Sequence, residues 1–147
     1  MDFKQKLQAR DEDLDFMRSI SFRPNDQSGL LEDVPFVVKD AICAEGVETS
    51  AGSEILEGYR PVFDAAAVER LEDSGAVFHG KTQQDEFGFG SFCTNCAHGK
   101  PRNPHDTSRV TGGSSGGAAA VCAATDKDVL SIGESTGGSI TNPAAYN

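Results

Sequence analysis

Two short clusters of glycine and hydroxyl residues constrain the fold most strongly. Residues 111–117 read TGGSSGG, and residues 135–139 read STGGS. Glycine permits positive φ angles and close backbone approach, so such segments form tight turns whose N–H groups can converge on one point. AAAVCAA follows the first cluster and predicts a tightly packed helix, whereas DVLSIG at residues 128–133 precedes the second and predicts a strand. Each predicted turn therefore adjoins a packed element.

Strand-like and helix-like segments alternate along the remainder of the chain. VPFVVK at residues 34–39 predicts a buried strand whose last residue, Lys39, emerges at a sheet edge, and AVFHG at residues 76–80 predicts another strand. Between them, the segment from Asp64 to Gly75 has the pattern of an amphipathic helix with an aspartate cap and a closing glycine. This alternation predicts an α/β fold with a sheet that is at least partly parallel.

The N-terminal segment differs in composition from the rest. Residues 1–30 are polar and charged, with a predicted helix over residues 2–17, and we interpret them as a leader to a core at residues 31–147. Few helices are predicted for the number of strands. We therefore expect apolar strand surface at residues 34–38 and 129–132 to lack cover.

The charge of the chain limits its partners. Its 147 residues include 13 basic and 23 acidic ones, a net charge of −10 that repels phosphate backbones and anionic membranes. Direct nucleic-acid binding is therefore not expected. The sequence has no apolar run of membrane-spanning length and no signal-peptide pattern, which predicts a cytoplasmic protein with no membrane partner and with its four cysteines reduced.

A serine in a tight turn after a strand has the geometry of a nucleophile, which makes Ser139 the candidate. Its hydroxyl needs a base. His79, His98 and His105 fall in a predicted strand, a loop and a turn, with no carboxylate pattern to orient them. A lysine buried in a nearly dry site can lose its proton and act as a base, and Lys39 fits that role.

Two other motifs have spacings that occur in binding sites. Residues 75–82 match the phosphate-loop pattern GxxxxGK[ST], but a helix end precedes the first glycine and no apolar helix follows, which disfavours nucleotide binding. Cys93 and Cys96 have CxxC spacing, but Cys43 and Cys122 are single and distant, although His98 lies nearby. We interpret the two thiols as ordinary loop residues and predict no metal or cofactor.

Several segments taken together resemble the amidase-signature family, including its glutamyl-tRNA(Gln) amidotransferase members. They are VPFVVKD, the long segment GVETSAGSEILEGYRPVFDAAAVERLEDSGAVFHGKTQQDEFGFGS, RNPHDTSRVTGGSSGGAAA and GESTGGSITNPAA. The resemblance as a whole runs from about residue 31 to residue 146. The resemblance implies an amidase-signature-type mixed sheet flanked by helices. Because members of the family are considerably longer, we expect this chain to be an incomplete core.

The resemblance also implies a Ser-Ser-Lys triad. Ser139 corresponds to the acylated nucleophile, Ser114 to the bridging serine on a cis peptide, and Lys39 to the base. The backbone N–H groups of the oxyanion site would come from the segment Thr136, Gly137 and Gly138. Ser114 is expected within hydrogen-bonding distance of both Ser139 and Lys39.

The implied substrate is glutamine or another small carboxamide. Ammonia would pass to other amidotransferase subunits, and tRNA would be bound only through a partner subunit. The family usually has an aspartate and an arginine where this chain has Ser135 and Thr141. This departure motivates the alternative hypothesis of a truncated or degenerate amidase-like protein that lacks activity and serves as a binding module or assembly part.

Overall fold

A computed structural model describes residues 2–125 and 129–147. The helices are α1 (Phe3–Leu14), α2 (Ala66–Asp73), α3 (Gly116–Ala124) and α4 (Thr141–Tyr146). The strands are β1 (Met17–Arg23), β2 (Pro35–Lys39), β3 (Val77–Thr82) and β4 (Leu130–Ile132), and short 3-10 turns lie at Glu54–Leu56 and Glu86–Gly88. The predicted α/β class is confirmed.

The four strands form one mixed sheet in the order β1-β3-β2-β4. Strand β2 runs parallel to both β3 and β4, and β1 pairs with β3 in the antiparallel direction. The carboxyl ends of β2, β3 and β4 therefore lie at the same edge of the sheet.

Apolar layers cover both faces of β2. On one face Val37 packs with residues of α1 and α3, and on the other Phe36 and Val38 pack beneath α2. All three side chains are fully buried. The expectation that residues 34–38 would leave apolar surface exposed to solvent is therefore wrong. In β4, by contrast, Leu130 and Ile132 are only half-buried.

The N-terminal segment differs from the leader expected over residues 1–30, because residues 3–23 supply α1 and β1 to the same core and sheet. Asp2 caps α1 by accepting a hydrogen bond from the N–H of Gln5 at 2.8 Å. The helix ends at Leu14 rather than at the predicted residue 17, and the next residue, Asp15, adopts a positive φ of 51°. Two segments of one mostly polar stretch thus bury their few apolar residues.

The cap predicted at Asp64 is not observed. Ala65 precedes α2 without a side-chain cap, and the Asp64 carboxylate instead accepts hydrogen bonds from Arg23 at 3.1 Å and from the N–H of Glu45 at 2.8 Å. Arg23 on β1 also pairs with Glu72 of α2 at 2.9 Å. An ion-pair network on the N-terminal strand therefore takes the place of the local cap.

Boundaries of the other predicted elements shift by a few residues. Strand β3 extends two residues beyond the predicted residue 80, and α3 begins two residues before AAAVCAA. In the strand predicted at residues 128–133, the first residue lies outside the described part of the chain, and β4 covers three of the others. No helix in residues 2–125 and 129–147 combines the length and the apolar character that crossing a membrane requires.

Residues 75–82 do not form a phosphate loop, because most of them lie in β3. Lys81 is fully buried and donates hydrogen bonds to the carbonyl oxygens of Asp40 and Ile42 at 3.0 and 2.6 Å and to Thr49 Oγ1 at 2.8 Å. Burial lowers the pKa of Lys81 to about 8, against the opposing effect of Asp40. Its amine thus binds the turns that follow β2.

We expect Lys81 to make stability increase with pH. Its pKa in the folded chain, about 8, lies below the ordinary 10.5, so the unfolded chain binds more protons between these values and the free energy of unfolding rises with pH. Urea denaturation across this range should show a smaller rise for Lys81→Met than for the unchanged chain. Lys100→Met, which alters an exposed lysine, should keep the full rise, and equal slopes in both variants would contradict the assignment.

The buried Phe36 is expected to stabilise the core strongly. Its ring contacts Phe78 edge-on at a centroid distance of 5.5 Å, and Phe36→Ala should lower the free energy of unfolding by about 3–5 kcal/mol because it leaves a cavity. Urea denaturation followed by far-UV circular dichroism measures this change. Leu30→Ala, at a side chain that is 95% exposed, should change stability by less than about 0.5 kcal/mol.

Candidate active site

The candidate site lies where the carboxyl ends of the parallel strands meet. Lys39 is the last residue of β2, and Glu134 follows β4 by two residues. The chain after β3 continues into Asp85, which contacts the first glycine–serine turn. In open α/β sheets this edge is where ligands usually bind.

Lys39 is fully buried, and its amine has three acceptors. The Nζ atom donates to Ser114 Oγ at 2.7 Å, to Glu134 Oε1 at 2.5 Å and to the Glu134 carbonyl oxygen at 3.4 Å. Burying an ammonium without partners is costly, and these contacts offset that cost. The predicted Lys39–Ser114 contact is therefore observed, with a carboxylate as an additional partner.

Ser114 is buried in a turn that several elements fix. The Gly113–Ser114 peptide bond is cis, in the segment where the resemblance implied one. The carbonyl oxygen of Ser114 accepts a hydrogen bond from the N–H of Asp85 at 3.1 Å. Asn142 Nδ2 donates to the carbonyl oxygens of Gly113 and Ser91 at 3.0 and 2.6 Å. The Ser114 hydroxyl is thereby held toward the end of β2.

Helix α3 packs closely behind this turn because its first residues are glycines. A Cβ atom on Gly117 would lie 2.5 Å from the carbonyl oxygen of Phe16 and 2.6 Å from the backbone nitrogen of Gln83. The N–H of Gly117 donates to the carbonyl oxygen of Gln83 at 3.1 Å. A larger residue at this position would push α3, and with it Ser114, away from the sheet.

Ser139 is half-buried beside an open cleft of ≈ 920 Å³. Its carbonyl oxygen accepts a hydrogen bond from the N–H of Ser115 at 3.2 Å, which ties the two glycine–serine turns together. Within the described residues, no hydrogen bond joins its hydroxyl to Ser114 or Lys39. The expected Ser114–Ser139 contact is therefore not present among these residues, and Glu134 is a further partner of Lys39.

The predicted oxyanion segment lines the same cleft. Thr136, Gly137 and Gly138 all face it. The N–H of Gly138 donates to Ser135 Oγ at 3.2 Å, so this donor is engaged inside the turn. Neither Thr136 nor Gly137 uses its N–H in a hydrogen bond to any residue that the structure describes, and these two donors remain available to a ligand.

The two positions that depart from the family pattern do not contact each other. Ser135 is used within its own turn, and Thr141 begins α4 and donates through Oγ1 to the carbonyl oxygen of Gly138 at 3.5 Å. Hydroxyl contacts inside the loop thus occupy the two positions at which the family usually has an aspartate and an arginine.

Two residues at the site were not predicted from the sequence, Glu134 and Asn142. Glu134 directly follows the predicted strand and its glycine. Its position at the carboxyl end of a parallel strand was the sequence signal that could have identified it. Asn142 acts through backbone carbonyl groups that only the folded chain brings near it.

The three histidines lie in other contacts. His79 packs between Phe3 and Phe22, with ring centroids 4.8 and 5.3 Å away. His98 Nε2 lies 3.4 Å from the carbonyl oxygen of Ser53, and His105 Nε2 lies 2.5 Å from that of Asn147. None of these contacts joins a histidine to Ser114 or Ser139.

Cys93 and Cys96 are free thiols whose sulfur atoms lie 3.7 Å apart. Together with Asp85 they form a group whose potential metal-ligating atoms all lie within 4.8 Å of one another. This group lies behind the Ser114 turn.

Curated relatives share the sequence over most of the chain. The A subunit of glutamyl-tRNA(Gln) amidotransferase from Gloeobacter violaceus is 51% identical over 118 residues, 80% of this chain and 24% of the relative. The Archaeoglobus fulgidus protein of the same name is 50% identical over 118 residues, 80% of this chain and 26% of the relative. The chain thus spans about a quarter of the length of these relatives.

The fold also matches a solved structure. The crystal structure of the glutamyl-tRNA(Gln) amidotransferase A subunit from Thermotoga maritima superposes with a TM-score of 0.86 at 36% identity, covering 96% of this chain and 32% of that one. The family model described as Amidase matches residues 4–147. The chain therefore belongs to the amidase-signature family.

Proposed function

We propose that the chain carries the catalytic residues of an amide hydrolase or transamidase, with Ser139 as nucleophile, Ser114 as bridging serine and Lys39 as base. The observation that carries this proposal is the 2.7 Å hydrogen bond between the buried Lys39 amine and Ser114 Oγ. Thr136, Gly137 and Gly138 would supply oxyanion donors. Only a neutral amine can accept a proton, so the base must first release one.

The proton transfers follow from this arrangement. Neutral Lys39 takes the proton of Ser114, Ser114 takes that of Ser139, and Ser139 Oγ attacks the carbonyl carbon of the amide. A proton then passes back to the leaving nitrogen, which departs as ammonia. Water or a second nucleophile afterwards attacks the acyl-enzyme and releases the acyl group. These transfers require Ser139 Oγ to move within hydrogen-bonding distance of Ser114 Oγ when substrate enters the cleft.

The proposed substrate is glutamine or another small carboxamide. The names of the curated relatives support an amidotransferase A subunit. Such a subunit would work in the cytoplasm and pass ammonia to other subunits for amidation of Glu-tRNA(Gln) or Asp-tRNA(Asn). With a net charge of −10, the chain favours tRNA binding by a partner subunit rather than by its own surface.

A second candidate is an amidase-like protein without activity that serves as a binding module or assembly part. The ion pair between Lys39 and Glu134 at 2.5 Å favours it, because a carboxylate stabilises the protonated amine that cannot act as a base. The absence of a Ser114–Ser139 contact among the described residues points the same way.

A fluorophosphonate probe distinguishes the two candidates. If the triad operates, the probe should label Ser139, and Ser139→Ala should lose the adduct in mass spectrometry. Ser114→Ala and Lys39→Met should each slow labelling by at least about 100-fold, the usual contribution of a positioned base. Ser108→Ala changes an exposed serine outside the site and serves as the control. An unlabelled Ser139 in the folded chain would contradict the proposal and favour the inactive alternative.

Glu134 should restrain the base. Glu134→Gln keeps the size of the side chain but removes the charge that favours protonated Lys39. Because this carboxylate is 48% exposed, we expect labelling at neutral pH to be about two- to fivefold faster, equivalent to at most about 1 kcal/mol. Slower labelling of Glu134→Gln would instead assign Glu134 a supporting role.

A further inference from the structure

The loop behind the Ser114 turn brings together two thiols and a carboxylate that the proposed reaction does not use. Asp85 follows β3 by three residues, and Cys93 and Cys96 lie on the loop that returns past it. Their ligand atoms, one carboxylate oxygen and two sulfurs, lie within 4.8 Å of one another. Asp85 and Cys93 are each 1% exposed.

The sulfur spacing suits a tetrahedral metal ion. Two thiolates bound to zinc at about 2.3 Å with tetrahedral angles lie about 3.8 Å apart, and the two sulfurs lie 3.7 Å apart. A disulfide would require them to approach to about 2.05 Å. The loop thus spaces the thiols as a pair of ligands without joining them.

Backbone hydrogen bonds hold the carboxylate in place. Asp85 Oδ2 accepts from the N–H of Cys93, and Oδ1 accepts from the N–H of Asn95, both at 3.0 Å. The loop is fixed further by the N–H of Glu86, which donates to the carbonyl oxygen of Asn95 at 2.7 Å. A carboxylate oxygen has more than one lone pair, so these bonds leave acceptor capacity for a cation.

The local electrostatics favour a cation. Asp85 places a carboxylate oxygen within 4.8 Å of both sulfur atoms. Cys96 Sγ donates a hydrogen bond to the carbonyl oxygen of Gln84. A divalent cation between the three groups would pair with the carboxylate and would stabilise the two thiolates directly.

We propose that Asp85, Cys93 and Cys96 bind one Zn²⁺ ion, with water as the fourth ligand. Binding releases two thiol protons to solvent, and the complex contains two thiolates, one carboxylate and the metal. Thiolate ligands favour zinc over magnesium or calcium, which prefer oxygen ligands only. The proposal does not depend on the activity proposed for Ser139.

A metal at this position would support the Ser114 turn. The N–H of Asp85 donates to the carbonyl oxygen of Ser114, and Cys93 Sγ lies 3.9 Å from the same oxygen. Two of the three ligands therefore contact the residue that receives the Lys39 hydrogen bond. We assign the ion a structural role that holds this turn against the sheet.

Cobalt titration of the reduced, metal-free 147-residue chain tests the site. Co²⁺ should produce a thiolate-to-cobalt charge-transfer band and intense visible bands of a tetrahedral centre, saturating at one ion per chain. Zn²⁺ should displace the cobalt. Cys93→Ser and Cys96→Ser should each weaken binding at least about tenfold, as loss of a ligand is expected to do.

Cys43→Ser and Cys122→Ser provide matched controls, since both cysteines are free and lie outside the group. They should keep the spectrum and the affinity. A measurement without variants is alkylation followed by mass spectrometry, in which Zn²⁺ should slow modification of Cys96 but not of Cys122. No thiolate band, or equal loss of binding in the control variants, would overturn the proposal.

Discussion

The buried amine of Lys39 is the contact on which the arrangement of the site depends. A charged or strongly polar group inside a protein must find partners, because water no longer solvates it. Here the partners come from positions 75 and 95 residues away along the chain, Ser114 and Glu134. The requirement therefore joins the end of β2 to the turn before α3 and to the segment after β4.

The parallel pairing of the strands makes this convergence possible. Strands β2, β3 and β4 end at one edge of the sheet, so the segments that follow them meet there. Each segment contributes a carboxylate near the edge: Asp40, Asp85 and Glu134. Asp40 accepts hydrogen bonds from Ser50 Oγ at 2.6 Å and from the N–H of Gly52 at 3.0 Å, and so it organises a turn rather than a reaction.

Two clusters of polar side chains lie at this edge of the sheet. Ser139 lines the cleft, Lys39 and Ser114 are fully buried and contact each other, and the Asp85, Cys93 and Cys96 group lies behind the Ser114 turn. The backbone of Ser114 is common to both, since its carbonyl oxygen contacts the second group while its hydroxyl contacts the first. A change in the loop of residues 91–97 would consequently reach the candidate bridging serine.

The N-terminal segment shows why a polar stretch can still belong to a core. Its helix and strand bury only a few apolar residues, such as Phe3, Leu7 and Met17. Arg23 at the end of β1 reaches Asp64 and Glu72 around α2. Polar composition predicted a leader, but three-dimensional placement of those few side chains decided otherwise.

The sequence alone determined the α/β class, the strand ending at Lys39 and the small-residue helix after Ser114, because hydrophobic period and glycine turns are local properties. The combined motifs also indicated the family. Tertiary structure alone decided that β1 is a sheet edge and that Asp64 serves an ion pair rather than a cap. It also decided that Glu134 joins Ser114 as a partner of Lys39. Each of these contacts joins residues that are distant in the chain. Local sequence patterns do not show which of several charged or hydroxyl groups will contact a buried amine in the folded protein.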